Sequence, residues 1–264
     1  MKLKVLGTQS PYNTEGHNSP GFFIEEGDHR IMLDCGSGSH SLLNYPDDLK
    51  NLSVIITHLH RDHYNDLFNL QYASFVFANQ KRLKKPVNVY LPLNPKRILV
   101  DIVSEENSFT NIYSINEKSY LVCGNLVVTF CKMKHPVETY AVKITNGVSK
   151  IVYSSDTSFA ARSELVEFAR GADVFICESS LLESHGFPEI NSHLTAKQAA
   201  TIAKEAKVNT LMLTHFWPEE SPENYVEEAK MVFENVIAAE EGALFVVWRY
   251  MSKKKGLRWM MCCG

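Results

Sequence analysis

The densest group of potential metal ligands is residues 57–63, THLHRDH, which places three imidazoles and a carboxylate directly after an apolar stretch. In an extended segment side chains alternate, so His58 and His60 point to the same side and can reach one ion. Asp62 and His63 follow at the turn into a predicted helix and can serve a second ion. These ligand types suit zinc, and manganese or iron would accept the same set. The alternative is a polar surface cluster in which Asp62 caps the helix.

Three further candidate ligands, His135, Asp156 and His215, are distant in sequence but share one kind of position. Each follows an apolar stretch that predicts a strand. Taken singly, such a histidine is more often a core or turn residue than a ligand. Their common placement at strand ends favours a metal site to which several strands contribute.

The elements that must position these residues form a β-rich first part and a β-rich middle part, each followed by helices. Apolar periodicity and turn residues predict strands at 2–6, 21–26, 30–34, 53–57, 87–91, 126–132, 139–145, 150–154, 174–178 and 210–214. Helices are predicted at about 65–79, 158–169, 195–206 and 222–238. This order predicts an α+β fold, a four-layer αβ/βα sandwich. Because no repeat or linker interrupts the chain, we expect one domain over 1–264, with 252–264 as a mobile tail.

The composition narrows the classes of function and partner. Apolar residues make up 45% and charged residues 22% of the 264 residues, as in ordinary globular proteins. The net charge of −3 provides no basic field to attract a large nucleic acid. The six cysteines form no CxxC pair, and we find neither a signal peptide nor a membrane-spanning run. We therefore expect a cytoplasmic protein without a membrane partner.

The motif HLHRDH resembles the HxHxDH motif of the metallo-β-lactamase superfamily, and the three later ligands match that family's later motifs. The resemblance covers nearly the whole chain and implies two divalent ions, Zn²⁺ first, with Mn²⁺ as the alternative. It implies that one ion is held by His58, His60 and His135, the other by Asp62, His63 and His215, with Asp156 bridging them. Asp34, in LDCGSG, is similar to the family's aspartate that supports the metal loop. The alternative for Asp34 is a plain turn residue.

The segments SHLTAKQAA and LTHFWPE narrow the resemblance to the ribonuclease Z-like branch. In that branch a histidine before the same helix assists protonation of the leaving group, which implies this role for His193. Glu178 resembles the carboxylate that accompanies this histidine and could hold its tautomer. The predicted catalytic residues are therefore His193, Glu178 and the metal ligand Asp62. The alternative for His193 is a residue that only begins the helix.

The spacing between two ligands bears on the substrate. Ribonuclease Z holds tRNA with a long arm between the motifs that correspond to His135 and Asp156. Here those residues are 21 positions apart, and a predicted hairpin fills the interval. The sequence therefore favours a small phosphodiester. In this branch the chain most resembles small cyclic-nucleotide phosphodiesterases such as the phage anti-Pycsar enzymes, which act on cCMP and cUMP.

That resemblance implies a 3′,5′-cyclic mononucleotide as substrate, a homodimer, and a host cytoplasm if the chain is phage-encoded. Tyr12, Phe216 and Trp217 are candidates for stacking on a base, with internal packing as the alternative. Rival functions are a tRNA 3′-processing endonuclease, another cyclic-phosphate phosphodiesterase, a lactonase or thioesterase, and a non-catalytic nucleotide-binding protein. All seven candidate ligands are present, which favours an enzyme.

Overall fold

A computed structural model describes residues 1–186 and 192–248 and the backbone of 249 and 255–259. Within these residues, the first sheet has the order β15-β14-β1-β2-β3-β4-β5-β6. Its strands are β1 Lys2–Gly7, β2 Gly21–Glu26, β3 His29–Leu33, β4 Leu52–Ile55, β5 Val87–Leu91, β6 Thr110–Ser114, β14 Leu244–Arg249 and β15 Lys255–Trp259. The first three strands form an antiparallel meander, as predicted, whereas β3 to β6 run parallel.

The second sheet of the described chain has the order β13-β12-β11-β10-β9-β8-β7. Its strands are β7 Tyr120–Cys123, β8 Leu126–Lys132, β9 Tyr140–Thr145, β10 Lys150–Tyr153, β11 Val174–Glu178, β12 Thr210–Thr214 and β13 Val236–Ala238. Strands β9 and β10 form the predicted hairpin, which turns at Gly147 with φ +84°. Strands β10 to β13 are parallel, so the residues after β10, β11 and β12 lie along one edge.

Three apolar clusters hold the layers together. The first lies between the sheets and contains inward-facing residues of both, such as Ile24 and Ile144. The second packs helices α4 Arg162–Ala169, α5 Ala196–Ala206 and α6 Pro222–Lys230 against the outer face of the second sheet. The third packs helices α2 Leu67–Asn79 and α3 Lys96–Val103 against the first sheet. The predicted four-layer αβ/βα sandwich is therefore confirmed.

The structure corrects the last predicted helix. Helix α6 ends at Lys230, and Val236–Ala238, predicted as its final turn, is strand β13, which pairs with β12. A short apolar run does not distinguish a helix end from an edge strand, and the free edge of β12 decides it. The sequence analysis also missed α3, β6, β7, β14 and β15.

Two further expectations concern the mobile tail and the lack of a membrane-spanning segment. Within the expected mobile tail, the backbone of Lys255–Trp259 forms β15 antiparallel to β14, and the rest of 252–264 lies outside the described residues. In the part of the chain that the structure describes, every helix is too short or too polar to cross a membrane.

Candidate metal centre

The first half-site consists of His58, His60 and His135. Strand β4 ends at Ile55, and the segment after it carries His58 and His60 toward His135, which follows β8. His60 Nδ1 lies 3.2 Å from His58 Nε2 and 3.1 Å from His135 Nε2. Together with an Asp156 oxygen, these ligand atoms all lie within 4.8 Å of one another. The structure thus gathers the three imidazoles that the sequence assigned to one ion.

The second half-site consists of Asp62, His63 and His215. The short helix α1, Arg61–Tyr64, carries the first two, and His215 follows β12. His63 Nε2 lies 3.2 Å from His215 Nε2, and both nitrogens lie 3.5 Å from Asp62 Oδ2. This second group matches the other predicted ligand set.

Asp156, three residues after the end of β10, lies between the half-sites and turns one oxygen toward each. Its Oδ2 lies 3.5 Å from His58 Nε2 and 3.8 Å from His135 Nε2. Its Oδ1 lies 3.3 Å from His63 Nε2 and 3.1 Å from His215 Nε2. Oδ1 is fully buried and makes no hydrogen bond. A buried carboxylate oxygen without a donor is costly unless a cation faces it, so the geometry fits a bridging metal ligand.

The outer nitrogens of the rings fix their tautomers. His63 Nδ1 donates to Asp34 Oδ2 at 2.8 Å, and His135 Nδ1 donates to the Ser192 carbonyl oxygen at 3.0 Å. Because both partners lack a proton to give, each ring carries its hydrogen on Nδ1 when neutral, which leaves an unprotonated Nε2. These Nε2 atoms face the centre with their lone pairs. The donor set therefore fits divalent ions that accept imidazole and carboxylate, such as zinc.

The charges of the cluster are strongly coupled. Burial would raise the pKa of Asp156, but the nearby His215, His63 and His58 outweigh it and hold that pKa well below its usual range. Burial would lower the pKa of His215, but the Asp156 carboxylate raises it to about 10. For His58 burial prevails and lowers the pKa well below its usual range. The anionic Asp156 thus draws positive charge into a buried space, as a metal site requires.

Asp34 contacts the second half-site through the outer nitrogen of His63. It follows β3 with φ +57° and is fully buried. It accepts hydrogen bonds from the Thr57 backbone at 2.7 Å, the Thr57 hydroxyl at 3.0 Å and the Tyr153 hydroxyl at 3.0 Å, in addition to His63. These contacts join Asp34 to both ends of the metal loop, and its supporting role stays a prediction. Asp34, Ser155 and His215 are non-glycine residues with positive φ, and such strain is typical of functional sites.

His193 and Glu178 form a pair beside both half-sites. His193 Nδ1 lies 3.1 Å from Glu178 Oε1, and its ring centroid lies 5.3 Å from that of His135 and 5.4 Å from that of His215. Glu178 is buried and also accepts from the Thr157 backbone at 2.9 Å and the Leu194 backbone at 3.2 Å. Since the carboxylate fixes the Nδ1 proton, Nε2 is the atom at which His193 can exchange a proton.

Local structure holds His193 in place. Two residues later, Thr195 and Gln198 form a reciprocal capping box at the start of α5, with distances of 3.0 and 3.1 Å. Leu181 N donates to the Leu194 carbonyl oxygen at 3.1 Å, which ties the segment to the end of β11. Burial would lower the pKa of His193, but the charge and hydrogen bond of Glu178 outweigh it and raise that pKa.

The three predicted base-stacking residues have different surroundings. Phe216 is only 2% exposed and packs against Tyr225 in the second apolar cluster, with ring centroids 5.1 Å apart. The prediction for Phe216 is therefore wrong, because its ring completes the core beneath α6. Trp217 lines a cavity, and Tyr12 is 47% exposed and hydrogen-bonds Glu219.

Several residues that contact the site were missed, among them Ser155, whose hydroxyl lies 3.4 Å from His58 Nδ1. The Ser10 hydroxyl donates to Asp62 Oδ2 at 2.7 Å, Ser180 Oγ lies 2.7 Å from His215 Nδ1, and Tyr153 contacts Asp34. Ser180 and Tyr153 lie at strand ends, and this placement could have identified them. Ser10 has no such signal, because a bridge between Gln9 and Phe216 brings its loop to the centre.

Comparisons with known proteins cover the whole site. Residues 29–216, which include all seven candidate ligands, match the family model described as a beta-lactamase superfamily domain. The probable metallo-hydrolase YhfI of Bacillus subtilis is 28% identical over 234 residues, 88% of this chain and 94% of YhfI. The YhfI crystal structure superposes with a TM-score of 0.85 and covers 92% of this chain and 98% of that one. Ribonuclease Z of Archaeoglobus fulgidus is 28% identical over 301 residues, 91% of this chain and 96% of the enzyme.

Proposed function

The chain belongs to the beta-lactamase superfamily and is a hydrolase, and on that premise we propose that it is a dinuclear metal-dependent phosphodiesterase acting on 3′,5′-cyclic mononucleotides. The predicted superfamily and the likeness to ribonuclease Z are confirmed by these matches. The observation that carries the proposal is the position of Asp156, with one oxygen toward each cluster of imidazole nitrogens.

The residues divide into two sets of ligands and one proton donor. In this proposal His58, His60 and His135 hold one ion, Asp62, His63 and His215 hold the other, and Asp156 contacts both. Two divalent ions, of which zinc is the preferred candidate, would supply an activated water and neutralise charge on the phosphoryl oxygens.

The pair formed by His193 and Glu178 supports a phosphodiester substrate in particular. A departing ribose oxygen is a poor leaving group and needs a proton as the bond breaks. Glu178 orients the imidazole through Nδ1 and stabilises its protonated form, so His193 Nε2 can deliver that proton. Hydrolysis of a lactone or thioester depends less on such a donor, which favours the phosphodiester.

The size of the substrate is argued from the chain between His135 and Asp156. Strands β9 and β10 and their tight turn occupy most of that interval. An inserted arm that could grip a folded RNA has no place there. The similarity to ribonuclease Z nevertheless makes precursor-tRNA cleavage the second candidate function.

The test is a hydrolysis screen of the purified protein loaded with zinc or manganese. Its substrates are the cyclic monophosphates of adenosine, guanosine, cytidine and uridine, bis(p-nitrophenyl) phosphate, a precursor tRNA, a lactone and a thioester. We expect turnover of cyclic mononucleotides that changes little between low and moderate salt and is lost on chelation. An RNA substrate would instead show a steep loss with salt. Efficient tRNA cleavage, or the absence of cyclic-nucleotide turnover by fully metallated protein, would overturn the proposal.

A further inference from the structure

We propose that a cavity beside the metal centre is a nucleobase subsite that prefers bases with adjacent N–H donors, guanine first. This inference rests on the proposed function, because it names the part of the nucleotide that the chain recognises. The cavity has a volume of about 270 Å³ and is lined by His185, Trp217, Glu219 and Glu220. Pockets for larger ligands begin at about 300 Å³, so this volume suits a base and not a whole nucleotide.

The cavity is joined to the metal centre by chain and by hydrogen bonds. Trp217 is two residues beyond the ligand His215, a span of at most about 7 Å along the backbone. The Tyr225 hydroxyl lies 3.3 Å from the Trp217 backbone nitrogen and 3.2 Å from the Ser180 carbonyl oxygen. Ser180 in turn contacts His215 at 2.7 Å. The cavity wall is therefore adjacent to the second half-site in the chain and is linked to it by hydrogen bonds, and this is the premise of the proposal.

A second connection comes from the N-terminal loop. Ser10 contacts the ligand Asp62, and two residues later the Tyr12 hydroxyl donates to Glu219. The Ser10 backbone nitrogen also donates to the Phe216 carbonyl oxygen at 3.0 Å. The loop thus links the cavity wall to the second half-site.

The orientation of His185 determines what the wall offers to a ligand. His185 Nδ1 accepts from the Leu182 backbone at 3.2 Å, so the neutral ring carries its hydrogen on Nε2 and donates it to Glu220 Oε2 at 3.1 Å. Glu220 Oε1 also accepts from the Ser221 backbone at 3.2 Å and from the Asn224 side chain, so both Glu220 oxygens have partners. Glu219 accepts from Tyr12 through Oε1, so Glu219 is the carboxylate that can accept from a ligand. Beside them Trp217 contributes an aromatic surface, which stacks on any base.

This chemistry selects one end of the nucleotide and one kind of base. Two carboxylates repel a phosphate, so the phosphate remains with the imidazole cluster and the uncharged base enters the cavity. Guanine presents a ring N–H beside an amino group, and one carboxylate can accept from both. Uracil presents a single ring N–H between two carbonyl oxygens, which the carboxylates repel. We therefore expect guanine to bind best and uracil worst.

The first experiment measures base binding without catalysis. The full chain is labelled with 5-fluorotryptophan, and ¹⁹F spectra are recorded with guanosine and with uridine, with Trp217→Phe used to assign one signal. Guanosine is expected to shift the Trp217 signal at lower concentration than uridine and to leave the Trp248 signal in place. A Trp217 signal that guanosine does not move, or moves no more than uridine does, would overturn the subsite.

The second experiment compares kcat/KM for the four cyclic mononucleotides with that for 1-deoxyribose 3′,5′-cyclic phosphate, which has the same sugar and cyclic phosphate but no base. Trp217→Ala should reduce kcat/KM on nucleotides about 10-fold more than on the base-free compound, the scale of one stacking contact. Glu219→Gln should narrow the guanine-to-uracil ratio, whereas the control Glu167→Gln, on the exposed face of α4, should not. Equal losses on all substrates would refute the subsite even if the phosphodiesterase proposal stands. Guanosine binding at Trp217 without any turnover of cyclic nucleotides would instead refute the phosphodiesterase proposal and leave the subsite standing.

Discussion

The two half-sites share Asp156 but are supported differently. In the second half-site His63 and His215 are buried, and their outer nitrogens contact the Asp34 carboxylate at 2.8 Å and Ser180 Oγ at 2.7 Å. In the first half-site the imidazoles of His58 and His135 are buried too, and His60 is partly exposed, as Asp62 is in the second. The outer nitrogen of His58 contacts the hydroxyls of Thr57 and Ser155 at 3.2 and 3.4 Å.

This difference suggests a division of roles. A hydrogen bond to a carboxylate is about twice as strong as one between neutral groups, so Asp34 holds His63 more firmly than the hydroxyls hold His58. Firm outer contacts increase metal affinity. We therefore expect the second half-site to bind its ion more tightly.

The largest effect is expected for Asp156→Asn, which removes the group that both half-sites share. The substitution keeps the shape of the side chain but removes its negative charge and one of its two oxygens. The binding of both ions should therefore be weakened or lost. Loss of a hydrogen bond to the outer nitrogen of a metal-binding histidine reduces activity by up to about 100-fold. We expect Asp156→Asn to reduce activity by more than that. Metal analysis alongside steady-state kinetics measures this, with exposed Asp47→Asn as the matched control. Unchanged metal content would show that the half-sites do not depend on Asp156.

The next largest effect is expected for His193→Ala, because His193 contacts rings of both half-sites without belonging to either ligand set. Turnover of a cyclic nucleotide should fall by about 10² to 10⁴, while metal content stays constant. An activated aryl diester should lose less, since its leaving group departs without a proton. The control is His29→Ala, at the opposite end of β3 from Asp34. Equal losses on both substrates would argue for another role of His193.

An intermediate effect is expected for Asp34→Asn, which weakens the support of the second half-site alone. The affinity for one ion should fall by about 10- to 100-fold, because the Nδ1 proton of His63 loses its charged acceptor. Stepwise calorimetric titration of the metal-free protein would resolve the two binding events. An equal loss at both sites would remove the proposed difference between them.

The smallest effect is expected for Ser155→Gly in the first half-site. Glycine relieves the positive φ of +54°, which costs a non-glycine residue about 1–2 kcal/mol. The same change removes the hydroxyl hydrogen bond to Thr57, worth about 1 kcal/mol. These contributions nearly cancel, so thermal unfolding should show a change in stability within about 1 kcal/mol, with less than about 10-fold loss of metal affinity. A large loss of affinity would mean that the hydroxyl holds His58 firmly.

The sequence by itself determined the local part of the centre. His58, His60, Asp62 and His63 are close in sequence, so their convergence depends on a few backbone angles after β4. The β9–β10 hairpin was predictable for the same reason, since Asn146 and Gly147 specify a short turn between alternating strands. The later ligands were found because each follows an apolar strand, and parallel strands end at one edge. The roles of His193 and Glu178 came from the family resemblance.

Only the tertiary structure decided the contacts between distant segments. Phe216 and Trp217 are adjacent aromatic residues, yet one completes the core under α6 and the other lines a cavity. The direction in which each ring points depends on the packing of α6 against α5 and β13, which local sequence does not encode. Ser10 reaches Asp62 from 52 residues away, and Tyr153 reaches Asp34 from 119 residues away. Strand β13 likewise exists because β12 offers it an unpaired edge, so pairing with a distant partner overrode the helical pattern.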